Sequence, residues 1–201
     1  MKLDKSLSNP FDTPLNTLNS DALSKVHTKL AITGVKPTED KNVLSWYKIG
    51  EVYEELFVVV CNDNKIKAKI NPEKKEDKKA PDLIMFGELS DLKTQATPFY
   101  LSEKYGVTQE KCITFNSKDY RRYAKKYPDI NIYYWRGWEA STGYGKKVEA
   151  VKGVWWLPFK EIDTLIKNGA REHSYRSRHN GNTYDQSSYV LDSQNFKQLL
   201  I

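Results

Sequence analysis

The chain has 201 residues, a length that suits one domain around one core and leaves little room for a second. Hydrophobic residues make up 39% and charged residues 29%, which excludes the disordered class, and thirteen Tyr and five Trp add large apolar bodies with polar tips. A net charge of +6 favours a polyanionic partner, nucleic acid first and an anionic membrane surface second.

Residues 1–19, with Pro10 and Pro14 among Ser and Asn, read as an N-terminal arm, and residues 20–201 as a single domain. The arm has no apolar core of the signal-peptide kind, and no run of roughly 18 apolar residues follows, so the expectation is a cytoplasmic protein. Ser20 or Asp21 caps a predicted helix through Leu23, Val26 and Leu30. "DKNVLSWYKIGEVYEEL" reads as a second helix. The period then changes. "LFVVVCNDNKIKAKI" reads as a hairpin, with a first strand over residues 56–61, a turn at Asn62-Asp63-Asn64 and a second strand that alternates Ile66, Ala68 and Ile70 with lysines. "NPEKKEDKKA" reads as a solvated charged connection.

"PDLIMF" and "LSDLKT" form a second predicted hairpin, with Gly87-Glu88 as its two-residue turn. "PFYLSEKYG" is a short helix ending at Gly106, and "KCITFN" a strand. "SKDYRRYAKKYPD" is a helix capped by Ser117 and ended before Pro128. "INIYYWRGW" and "VEAVKGVWWL" are strands joined by a glycine-rich turn, and "PFKEIDTLIKNG" is a helix between Pro158 and Gly169. The segment 170–190 is basic, polar and aromatic, and ends in a strand, "SYVL". The order points to an α+β or α/β fold with a central mixed β-sheet flanked by helices. Cys61 and Cys112 lie in apolar runs and read as buried free thiols, with neither metal-type spacing nor a disulfide framework.

The second hairpin carries the candidate site. With Gly87-Glu88 at the turn, Phe86 faces Leu89, Ile84 faces Asp91 and Asp82 faces Lys93. Side chains alternate along strands, so Asp82, Asp91 and Lys93 share one face. Adjacent carboxylates repel, and one takes up a proton unless a positive charge intervenes. Hard oxygen ligands that leave room for water suit Mg²⁺, which accepts phosphate oxygens and lowers the pKa of bound water. A lysine beside it holds the attacking water or stabilises the transition state. The competing reading is a solvated face with a cross-strand ion pair, worth at most about 1 kcal/mol.

"PD", an apolar strand, a turn and "DLK" resemble the PD-(D/E)XK nuclease family. The pattern [DE]-x-K occurs at Glu39, Asp63, Glu73, Glu76, Asp77 and Asp91, and at Asp91 alone it follows an apolar strand that begins with Pro-Asp. The resemblance spans residues 43–135. It implies a restriction-endonuclease-like core and a metal-dependent endodeoxyribonuclease, in the manner of a type II restriction enzyme. Asp82, Asp91 and the backbone carbonyl of Leu92 then hold Mg²⁺, or Mn²⁺ in its place, and Lys93 is the catalytic lysine. A glutamate from the preceding helix joins the metal site in some members, and Glu51, Glu54 and Glu55 are available, with Glu55 and Glu51 taken as accessory together with Gln95. The implied partner is double-stranded DNA, bound by a two-fold homodimer.

Outside that stretch, Arg121, Arg122 and Lys125 on the helix that begins at Ser117 are candidate phosphate contacts. Arg171, His173, Arg176, Arg178, Asn180 and Asn182 in the basic C-terminal segment are candidate nucleic-acid contacts, because Arg and Asn match base edges and phosphate. Tyr134 and Trp138 are read as core residues, with base stacking as the alternative. Two further functional readings stay open: a non-catalytic nucleic-acid-binding protein of a phage or mobile element, and a structural protein whose charge is incidental.

Overall fold

The computed structural model describes residues 43–179 and 182–200. The expected arm and the helix over residues 20–33 lie outside the described residues, as does Asn180. Fourteen regular elements are used below. They are α1 (Val43–Asp63), β1 (Ala68–Ile70), β2 (Leu83–Met85), β3 (Glu88–Gln95), β4 (Cys112–Asn116), α2 (Ser117–Lys126), β5 (Asn131–Trp138), β6 (Ser141–Gly143), β7 (Lys146–Val148), β8 (Val151–Pro158), α3 (Phe159–Lys167), β9 (Glu172–His179), β10 (Asn182–Asp192) and β11 (Lys197–Leu200). The main sheet has the order β1-β2-β3-β5-β8-β11. Only the β3–β5 pairing is parallel, and the others are antiparallel. A second antiparallel sheet runs β4-β10-β9, and β6 with β7 makes a small separate hairpin. The protein is thus α+β with a central mixed sheet flanked by helices. Among the described residues no helix is long and apolar enough to cross a membrane.

Helix α1 corrects the first predicted hairpin. Residues 56–61 continue the helix rather than forming a strand. Val52, Tyr53, Leu56, Phe57, Val60 and Cys61 are buried, an i, i+1, i+4, i+5 stripe that only a helix aligns. The stripe packs on Leu83, Met85, Leu92, Tyr133, Trp135 and Val154 of the main sheet. Burial of this face outweighs the strand preference of a Val-rich run. The helix ends where Ile66 N–H donates to the Cys61 carbonyl at 2.8 Å, across Lys65 at φ 61°. Beyond it the predicted alternation holds, with Ile66, Ala68 and Ile70 against the core, but β1 pairs with β2 instead of residues 56–61.

The second hairpin exists with its turn moved by one residue. Leu83 pairs with Ser90, Ile84 with Leu89 and Met85 with Glu88, so Phe86-Gly87 makes the turn, at φ 53° and 93°. This two-positive-φ turn matches the right-handed strand twist. Pairing shifts by two residues, which preserves the faces: continued by one residue, the register sets Asp82 opposite Asp91 rather than Lys93.

The other face of the main sheet is closed by β4, β10, α2 and α3. Ile132, Tyr134 and Leu157 meet Ile113, Phe115, Tyr123, Phe159, Ile162 and Leu191 there. Tyr134 and Trp138 are both buried, so packing accounts for them and base stacking on either is ruled out. Helix α2 is capped by Asn116, whose side chain accepts from Lys118 N–H at 2.8 Å. The expected cap, Ser117, instead donates its hydroxyl to the Ser187 carbonyl at 2.9 Å. Gly106 at φ 84° ends a 3₁₀ turn over Ser102–Tyr105, where a short helix was expected. The basic segment forms the long β9–β10 hairpin, of which the sequence showed only the "SYVL" end. Cys61 and Cys112 are buried free thiols.

Two stability measurements check this description. Phe57, fully buried against Tyr133 and Trp135, is expected to lose about 3–5 kcal/mol in urea unfolding as Phe57→Ala, whereas Val59→Lys, 37% exposed on the same helix, stays within about 0.5 kcal/mol. Equal losses would contradict the helical stripe. Phe86 is 57% exposed in a conformation that costs most side chains about 1–2 kcal/mol, so Phe86→Asn is expected to raise the melting temperature.

Candidate active site

Five pieces of chain meet at one cavity of about 560 Å³: α1, the 3₁₀ turn Pro72–Lys75, the start of β2, the middle of β3 and the first turns of α2. Six acids and five bases line it, among them Glu54, Lys74, Asp82, Asp91, Lys93, Asp119 and Arg122. All three residues of the sequence motif therefore reach the same cavity.

The charges form two groups. In the first, Lys74 Nζ lies 2.5 and 2.6 Å from the two Glu54 oxygens and 2.5 Å from Asp82 Oδ1. The other Asp82 oxygen accepts the Leu92 N–H at 3.1 Å, tying the acid to β3. Lys74 is placed by Asn71, a buried residue that caps the 3₁₀ turn and donates from its side chain to the Pro81 carbonyl at 2.9 Å. Asn71 N–H also donates to the Asp82 carbonyl at 2.9 Å. In this way the charged connection is pinned against the strand that carries Asp82.

In the second group, Lys93 Nζ is 2.7 Å from both Asp91 Oδ2 and Asp119 Oδ2, and donates to the Tyr123 hydroxyl at 3.2 Å. Arg122 donates to the same hydroxyl at 2.5 Å, sits 3.2 Å from Asp119 and 3.8 Å from Asp91, and lies over the Tyr123 ring. Positions 119, 122 and 123 fall on one face of α2 by helical spacing. Asp91 is 2% exposed, and its buried Oδ2 is ion-paired with Lys93.

Burial raises the Asp91 pKa and the nearby Asp82 charge adds to it, against the pull of Lys93. Glu54 is pushed up to about 7 by burial and by Asp82, with Lys74 opposing. Burial works against the Lys93 ammonium, yet Asp91, Tyr123, Asp119 and Asp82 together outweigh it and hold its pKa well above the usual value.

Of the three glutamates, Glu54 shares an ammonium with Asp82. Glu51, exposed and 3.8 Å from Lys78, and Glu55 both line the cavity. Gln95 is not in this cavity: its Nε2 donates to the Cys112 carbonyl at 3.2 Å, further along β3. Arg122 turns into the site, whereas Arg121 and Lys125 are exposed on α2. Arg171 donates to the Lys104 carbonyl and His173 meets Tyr105, both away from the cavity. Arg176, Arg178 and Asn182 belong to the β9–β10 hairpin by their backbone. Sequence reasoning missed Lys74, Asp119 and Tyr123. Lys74 stood inside a run of charges that read as solvated, and only the helical spacing of Asp119 and Tyr123 beside Arg122 pointed to a shared face.

The donor set is chemically suited to a hard divalent cation, since its acidic groups offer carboxylate oxygens only. As the side chains stand, no group of three or more His, Cys, Asp or Glu among the described residues is arranged to hold a metal ion. The Lys74 ammonium already bridges Glu54 and Asp82. Comparison with known proteins brings no match: no family model fits the chain, and neither a curated protein nor a solved structure matches it.

The raised Glu54 pKa has a defined effect on stability. Folded chain holds this proton more tightly than unfolded chain, so the contribution to stability falls as pH rises from about 4.5 to about 7 and stays low above that. Glu54→Gln removes the titration. Its stability relative to the parent is expected to rise over this window, by on the order of 2–3 kcal/mol, in urea unfolding at pH 5 and pH 8. A difference that does not change with pH would contradict the burial of this carboxylate beside Asp82.

Proposed function

We propose that the protein is a metal-dependent endodeoxyribonuclease with a restriction-endonuclease-like core. The observation that carries this reading is the convergence of Asp82, Asp91 and Lys93 in one cavity, with Asp91 buried and paired to Lys93. The mixed sheet flanked by helices is of the kind that the resemblance implies.

Asp82 and Asp91, with Glu54 from α1, are the carboxylates that would hold the divalent cation, which would displace the Lys74 ammonium from Glu54 and Asp82. Bound there, such an ion neutralises charge on a phosphate and acidifies a coordinated water. Lys93 is kept charged and is aimed by Asp91 and Asp119, so its donors are fixed before substrate arrives. A fixed ammonium of this kind orients the attacking water and stabilises the negative charge that builds on the phosphate. Asp119 and Tyr123 act through Lys93 and are positioning residues. Arg122 and the basic surface beyond it attract the DNA backbone.

The test is cleavage of plasmid DNA with Mg²⁺ and with EDTA. Asp82→Asn, Asp91→Asn and Lys93→Ala are each expected to lose about 100-fold or more in rate while keeping the parent's far-UV circular dichroism. Mg²⁺ is expected to raise the melting temperature of the parent and not of Asp82→Asn. Retained cleavage in the Asp91 variant contradicts the reading. Salt-sensitive DNA retention with no cleavage in any metal would leave a non-catalytic binding protein instead.

A further inference from the structure

A second pocket, of about 300 Å³, lies where β3 ends beneath the β4-β10-β9 sheet. Its size is at the low end for ligand pockets. Gln95, Phe99, Thr114, His173, Tyr175 and Ser188 line it. Three of these are rings. Phe99 and His173 are 4.8 Å apart between centroids, and His173 and Tyr175, two residues apart on one face of β9, are stacked at 5.7 Å and 18°. The Tyr105 hydroxyl lies 2.7 Å from His173 Nδ1 and fixes the imidazole plane.

The polar element is Gln95. Its Nε2 donates to two backbone carbonyls, Cys112 at 3.2 Å and Thr97 at 3.4 Å, and because carbonyls only accept, these partners set which end of the amide is which. Its Oε1 is shielded from solvent and carries no hydrogen bond. A buried acceptor in that state is costly, and a ligand that brings an N–H donor relieves it once the Gln95 side chain turns this oxygen toward the pocket. Aromatic walls with one oriented acceptor fit a flat ring that carries an amino group. Gln95 is also two residues beyond Lys93 on the same strand face, roughly 6–7 Å along β3.

We propose that this pocket receives one unstacked base of the nucleic-acid strand whose phosphate reaches Lys93, and that it favours the bases with an exocyclic amino group, adenine, cytosine and guanine, over thymine. The rings stack on the base and Gln95 Oε1 accepts from its amino group, a single contact because Nε2 is held by the Cys112 and Thr97 carbonyls. The inference rests on the nuclease reading for the identity of the strand, and on the pocket alone for base recognition.

The test is fluorescence-polarisation binding of labelled single-stranded oligonucleotides of about eight dA, dC or dT residues, in EDTA so that nothing is cut. The parent is expected to bind dA and dC severalfold more tightly than dT. Gln95→Leu is expected to lose that preference while keeping its dT affinity, and His173→Ala to lose at least about fivefold on all three. Ultraviolet cross-linking of the unaltered protein gives a readout that no variant's folding affects: the cross-link is expected on peptides carrying Phe99, His173 or Tyr175. Equal binding of dA, dC and dT, or cross-links only elsewhere, would overturn the inference. Competition by deoxyadenosine monophosphate as strong as by the dA oligonucleotide would also overturn it, by making the occupant a free nucleotide. Base-selective binding without Mg²⁺-dependent cleavage would remove the nuclease reading and leave the pocket, whereas cleavage with unselective binding would do the reverse.

Discussion

The pairing of β2 with β3 forces two aspartates into each other's company. Asp82 and Asp91 fall opposite one another when the observed register is continued, and one of them is almost wholly buried. Carboxylates so placed must either take up protons or be met by positive charge. The surrounding structure supplies the charge from three directions: Lys74 from a pinned turn, Lys93 from β3 itself and Arg122 from α2. Asn71, Asp119 and Tyr123 make sense as supports of those three cations. Removing one partner from such a group leaves the remaining charges less well compensated and lowers stability.

The two ammoniums differ in what they hold. Lys93 is bound to Asp91 and Asp119 and rests against Tyr123, so its position is determined from several sides. Lys74 bridges Glu54 and Asp82, acids that belong to two separate parts of the chain, and so joins α1 to the start of β2. A compact cation between two carboxylates does electrostatically what a divalent ion does with more charge and tighter geometry. Lys74 therefore neutralises Glu54 and Asp82 in the folded chain, and the metal proposed for these acids would have to compete with it.

Much of this was legible in the sequence, and the gaps have physical causes. The face shared by Asp82, Asp91 and Lys93 follows from the two-residue period of a strand, and survived a misplaced turn because moving the turn by one residue shifts the pairing by two. Phe86 hid the true turn, since a bulky residue at positive φ is not a turn signal. Residues 56–61 looked like a strand because Val favours strands locally, while the two-wide apolar stripe that makes them helical is visible only over the whole span from Val52 to Cys61. Lys74 could not be told from its neighbours in "PEKKEDKK", because what distinguishes it is Asn71 folding the turn back onto Pro81. The β9–β10 hairpin was obscured by polar residues that carry no alternating apolar signal.

Calorimetric titration of the DNA-free protein with Mn²⁺ tests the proposed metal site most directly. One site is expected, lost in Asp82→Asn and tighter in Lys74→Met, where the competing ammonium is gone. Absence of binding at millimolar metal in both the parent and Lys74→Met would contradict a metal site between these acids.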